Sequence, residues 1–117
     1  MSRVLATLLA CLAAALAHAA DKPASQAVAV TLEPGKVHEE CMKLDKGDKR
    51  RYHWKASAPV DFNIHYHRGP EVFYPVKRNA MRGDGGTFAA GSAEEYCWMW
   101  TARAPGTKVE AAIDAPR

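Results

Sequence analysis

Val60-Asp61-Phe62-Asn63-Ile64-His65-Tyr66-His67 decides how this chain folds. Val60, Phe62, Ile64 and Tyr66 fall on one side of an extended chain, and Asp61, Asn63, His65 and His67 on the other. Period-two alternation sends successive side chains to opposite faces, so this is a strand with one face in a core. The same period runs outward in both directions. Upstream, Tyr52, Trp54 and Ala56 alternate with Arg51, His53 and Lys55 across residues 50–56, and Ser57-Ala58-Pro59 breaks the pattern. Downstream, Arg68-Gly69-Pro70-Glu71 is a turn, and residues 72–78 form a strand with Pro75 inside it. Proline donates no ladder hydrogen bond, so that strand belongs at a sheet edge or a bulge.

Farther from the central stretch the pattern persists. Residues 28–32 and 37–44 are strands separated by a turn at Glu33-Pro34-Gly35-Lys36, and Asp45-Lys46-Gly47-Asp48 ends the second. Residues 79–86, with Gly83, Gly85 and Gly86, read as a mobile connection before a short strand at 87–90. Residues 95–102 are apolar on both faces, as a central, covered strand must be. Pro105-Gly106 leads into a last strand at 107–113. About eight short strands, with no helix after the N-terminal segment, predict an all-β fold, an antiparallel sandwich or barrel, with a β-sandwich of jelly-roll type as the leading form.

The N-terminus carries a different signal. Residues 1–19 have one early base (Arg3), an apolar run from Val4 to Leu16, and the small-x-small exit Ala17-His18-Ala19. That is the layout of a secretory signal peptide. Residues 20–27 are a polar, flexible lead-in, and 28–117 are the single folded domain. Cys11 lies within the signal and leaves with it. Leu8-Leu9-Ala10-Cys11 loosely resembles a lipoprotein cleavage box, but the apolar run continues past Cys11, which weighs against a lipid anchor there.

Removing 19 residues from 117 leaves 98, with two cysteines, Cys41 and Cys97. An even pair in a short exported chain predicts one disulfide, stapling two sheets of strands together. Small domains gain most from such a cross-link, because their cores are small. The formal charge of +3 falls to +2 without Arg3, and acidic residues interleave with the basic ones. Neither the charge pattern nor an exported location suits nucleic acid. After the signal no apolar run is long enough to span a bilayer as a helix.

The order of features resembles the GOLD (Golgi dynamics) domain, a luminal β-sandwich. The likeness rests on an early cysteine, the strand Asp61-Phe62-Asn63-Ile64, a glycine-containing loop, Gly86-Thr87-Phe88-Ala89, and Glu95-Tyr96-Cys97-Trp98-Met99-Trp100. It implies a sandwich from about residue 37 to 113, a bridge between the early and late cysteines, and a generic interaction role without chemistry.

Two sets of side chains are candidate sites. If residues 50–56 and 60–67 form a hairpin around Ala58, His53 comes near His65 and His67 on one sheet face. Three imidazoles so placed could hold copper or zinc. The plainer alternative is a solvated polar face, with Arg51 and Lys55 opposing a cation. Trp54, Tyr74, Trp98 and Trp100 could face a small apolar ligand, a peptide or an envelope protein; the alternative is that they fill the core. Glu39-Glu40 and Glu94-Glu95 point to opposite faces and make poor acid/base pairs, and no nucleophile or nucleotide motif occurs. The expectation is a non-enzymatic binding or accessory module, periplasmic or secreted, with no cofactor; the alternative is a periplasmic copper- or zinc-binding protein.

Overall fold

The computed structural model describes residues 25–115. The expected signal peptide and Cys11 lie outside the described residues. The described chain is all strand and turn: β1 (Ser25–Leu32), β2 (Val37–Leu44), β3 (Lys49–Arg68), β4 (Glu71–Ala89), β5 (Glu94–Ala102) and β6 (Thr107–Asp114). β1 begins within the expected lead-in, so Ser25, Gln26 and Ala27 pair in the sheet rather than precede it.

There are six strands among the described residues where about eight were expected, because two breaks are bends and not reversals. β3 runs through Ser57-Ala58-Pro59, joining the two expected strands at 50–56 and 60–67. Its partner β4 absorbs the glycine-rich segment that the composition marks as a loop. The register explains how. Lys55 pairs with Gly83 and Val60 with Met81, so β3 carries a bulge between them. Pro59, which has no N–H, falls in that unpaired stretch. On β4 the backbone turns at Ala80, whose φ is 53°, and its N–H donates to Asp61 Oδ1 at 3.0 Å. Gly83 and Gly85 are needed for the ladder itself: a Cβ at either would stand 3.0 Å from the carbonyl oxygen of Trp54 or Tyr52.

All pairings are antiparallel. The sheet order is β1-β6-β3-β5-β2, with β4 on the other edge of β3. β6 pairs with the first part of β3 (Arg51 to Ala56) and β5 with the second (Val60 to His65). The bend between these parts curls the sheet over one core. Rings from its two parts meet there: Trp54 and Phe62 at 5.3 Å between centroids, Tyr52 and Phe62 at 5.7 Å, Tyr52 and Trp98 at 6.3 Å. The expectation for residues 95–102 holds, since β5 lies between β3 and β2 and buries Tyr96, Cys97, Trp98 and Trp100. So does that for Pro75: β4 is bonded only to β3, with a register shift near Pro75.

Cys41 and Cys97 are bonded. They stand directly opposite each other in the β2–β5 ladder, with Cα atoms 4.0 Å apart. The disulfide therefore joins neighbouring strands of one sheet instead of stapling two sheets. It ties β2, which pairs only with β5, to a central strand.

Candidate functional site

The hairpin expected around Ala58 does not form, and this separates the histidines. His53 lies in the first part of β3, opposite Gly85 on β4 and Ala112 on β6, and is exposed. His65 and His67 lie in the second part, His65 opposite Cys97 and His67 opposite Val72. A continuous strand cannot fold His53 back onto them. Among the described residues, the one set of three ligand-type atoms within 4.8 Å is that of Glu39, Cys41 and Cys97, and both sulfurs are committed to the disulfide.

The aromatic set divides differently from expectation. Trp54 is buried and Trp98 and Trp100 are fully buried, so none faces a partner. They fill the space inside the curled sheet, the largest side chains going where the most water is excluded. Tyr74 alone of the four is open to solvent, at 49% exposure.

The outer face of the second part of β3 is not the open polar surface that alternation suggests. His65 is only 4% exposed and Asn63 is also buried, although both point away from the aromatic core. Neighbouring side chains cover them. The His65 ring lies 5.9 Å from that of Tyr74 and 5.2 Å, edge-on, from that of His67. Its Nδ1 is 2.7 Å from Asn63 Oδ1. Its Nε2 is 3.5 Å from Glu39 Oε1, a carboxylate two strands away on β2. Burial lowers the His65 pKa below the usual histidine value; Glu39 opposes this shift and His67 adds to it. The paired cation on this face is Lys77, whose Nζ sits 5.4 Å above the Tyr74 ring.

A second feature lies between the two ends of β4. The cleft there is about 440 Å³, lined by Tyr66 and Arg68 of β3, Pro75 and Phe88 of β4, Ser92 of the following loop, and Tyr96 of β5, among others. Its wall is a run of touching rings: Tyr66 meets Tyr96 edge-on at 5.2 Å, and Phe88 meets Tyr96 at 5.0 Å; Tyr66 also stacks on Phe73, which does not line the cleft, at 5.1 Å. The Arg68 guanidinium caps this wall, 5.4 Å above Tyr66 and 5.7 Å above Phe73. Glu94 Oε1 accepts from its Nε at 2.7 Å and Ser92 Oγ from its Nη2 at 3.1 Å. The Tyr96 hydroxyl donates to the Ser92 carbonyl at 2.9 Å, fixing the loop at the cleft floor. Toward the bend of β4, Arg78 and Asp84 form an ion pair at 3.7 Å. Burial, then Asp84, raises the Tyr52 hydroxyl pKa, while Arg78 partly offsets the rise.

Sequence reasoning missed this cleft. Arg68 reads as a turn residue, and Phe88 and Tyr96 read as strand residues. Only the curl of the sheet shows that their rings also border an opening. Glu39 was missed as a neighbour of His65 because it lies 26 positions away, on a strand whose order in the sheet is not legible from pattern.

No family model and no curated protein matches the chain. Solved structures do. The Yersinia pseudotuberculosis-derived mitogen is similar over 82% of this chain and 88% of its own, at 10% identity and a TM-score of 0.52. A protein from Sulfurospirillum deleyianum aligns with 79% of this chain and 98% of its own (9% identity, TM-score 0.47). A de novo designed double-stranded β-helix aligns with 78% of this chain and 99% of its own (19% identity, TM-score 0.42). None of the three is a GOLD domain. The first likeness is one of fold, and at 10% identity it assigns no activity.

Proposed function

We propose that this is an exported, non-enzymatic binding module of the bacterial envelope. Its fold is a small sandwich of jelly-roll type, and the cleft between the ends of β4 receives a small apolar ligand or a peptide side chain. The observation that carries this reading is the aromatic wall of Tyr66, Phe88 and Tyr96 with Arg68 at its rim. Concave, mostly apolar sites with a few fixed polar groups are where ligands bind. Arg68 is such a group, held by Glu94 and Ser92 and supported on two rings. Export is supported by the signal-like N-terminus and by the Cys41–Cys97 bond, which persists in oxidising compartments.

A fragment screen read by amide NMR shifts tests the site. Apolar and aromatic fragments are expected to shift the amides of Ala89, Gly91 and Ser92, and Arg68→Ala should reduce the response while Tyr74→Ala leaves it intact. Shifts that ignore Arg68, or that cluster away from these amides, refute the cleft as the ligand site.

A further inference from the structure

β1 lies away from the cleft, to whose lining it contributes no residue, and it offers a place for a second chain. Three strands have an edge with no ladder partner among the described residues: β1, β2 and β4. A free edge presents unpaired N–H and C=O groups, and proteins that stay single guard it with charges, proline or bulges. β4 is guarded by Pro75, by Lys77, Arg78 and Arg82, and by register shifts against β3. β2 carries Glu39, Glu40 and Lys43. β1 has none of these. Its residues, Ser25-Gln26-Ala27-Val28-Ala29-Val30-Thr31-Leu32, hold no charge and no proline, and their register with β6 is unbroken. The side chains it exposes are Ser25, Ala27, Ala29 and Thr31, all small. A regular, uncharged edge is a template for one more strand.

We propose that this protein forms a two-fold dimer in which β1 pairs antiparallel with β1 of a second copy, so that two curled sheets become one. A two-fold axis normal to the sheet puts like faces on the same side, so residues that oppose each other must share a face. With the axis at Val28, Ser25 opposes Thr31 of the second copy and Ala27 opposes its Ala29. In each chain Asp114 lies beside Ser25, and Lys108 beside Thr31. The outer rows of the joined sheet then run Asp114, Ser25, Thr31, Lys108, with an acid at one end and a base at the other. Only small side chains separate the two charges. An axis one residue on, at Ala29, loses this match and aligns Glu110, the neighbour of Ala29, with itself. On the inner face Val28 meets Val28, and Val30, which is only partly buried in one chain, gains a neighbouring strand. Such self-complementarity is what an isologous contact requires, and it closes at two chains.

Sedimentation equilibrium of the protein purified after export, with its disulfide intact, tests this. The expected result is twice the mass of one chain, falling to a single mass on dilution. Ala27 and Ala29 are exposed, so charging them leaves the core alone. In the register given they oppose each other. Ala27→Lys with Ala29→Lys therefore sets lysine against lysine, and Ala27→Glu with Ala29→Glu sets glutamate against glutamate; like charges directly opposite are unfavourable. Each double variant should sediment as a single chain where the parent is a dimer. An equal mixture of the two should regain the doubled mass, which variants that had merely failed to fold would not do. A parent that keeps the mass of one chain up to about 1 mM overturns the proposal. So does growth beyond two chains, a dimer that the lysine pair leaves intact, or a mixture that stays at the single mass.

Discussion

At the scale of single residues, Asp61 is a polar member of an alternating strand that takes on a specific task. Its Oδ1 accepts from Arg103 Nε at 2.9 Å, from Arg103 Nη2 at 2.7 Å and from the Ala80 N–H at 3.0 Å. It thus ties the bend of β4 to the loop after β5. The Arg103 bonds, helped by Ala80, hold its carboxyl below the usual aspartate range against a smaller opposing effect of burial. A depressed native pKa means the unfolded chain takes up a proton first as pH falls. The stabilisation is therefore present above the unfolded value near pH 4 and is lost as pH drops through the native value. Melting temperatures between pH 6 and pH 2 should show Asp61→Asn with a shallower acid limb than the parent. Parallel curves would mean the bonds contribute nothing, as surface pairs sometimes do. Trp98 illustrates the opposite kind of residue. It is fully buried, and its indole Nε1 has no hydrogen-bond partner, so it acts through volume and ring contacts alone.

At the scale of elements, β2 is the strand most dependent on a covalent tie. It is the last strand in the order, and its ladder runs only to β5. The loop closed between Cys41 and Cys97 spans 56 positions. On the chain-entropy model a loop of that size is worth about 4 kcal/mol. Cys41→Ser with Cys97→Ser should lower the unfolding free energy by roughly that amount in urea. Hydrogen exchange should show β2 losing protection before β3, because an edge strand opens locally once released. Uniform loss of protection across β2 and β3 would contradict this account. β3 and β4 behave differently. They are long enough to belong to both parts of the curled sheet, and their bend is built from a bulge at 56–59, a positive φ at Ala80 and glycines that let backbones meet.

At the scale of the whole molecule, the first described strand closes against the last. β1 pairs with β6 from Ser25 opposite Asp114 to Leu32 opposite Thr107. This long-range pairing covers one edge of β6 and brings Val28 and Leu32 into the core. A chain beginning at Glu33 should lose cooperative thermal unfolding and sediment as aggregate, because β6 then offers an open edge and a partly uncovered core. A truncated chain that melts as the parent does would show β1 to be dispensable. The candidate sites also belong to this scale. The cleft exists because the two ends of β4 approach each other, and the Glu39–His65 pair exists because β5 separates β2 from β3 by one strand.

The sequence by itself determined the all-strand character, the turns at 33–36, 45–48, 68–71 and 105–106, the exposed edge of β4 at Pro75, the covered character of β5 and the Cys41–Cys97 bond. These follow from local periodicity, turn chemistry and the simple arithmetic of two cysteines. Tertiary structure alone decided that Ser57-Ala58-Pro59 bends instead of reversing, that the tryptophans are core, and that His65 meets Glu39 rather than His53. A broken alternation reads the same whether the strand turns back or bends and continues. Which of the two occurs depends on what β4, β5 and β6 offer as partners, and those pairings join residues far apart in the chain.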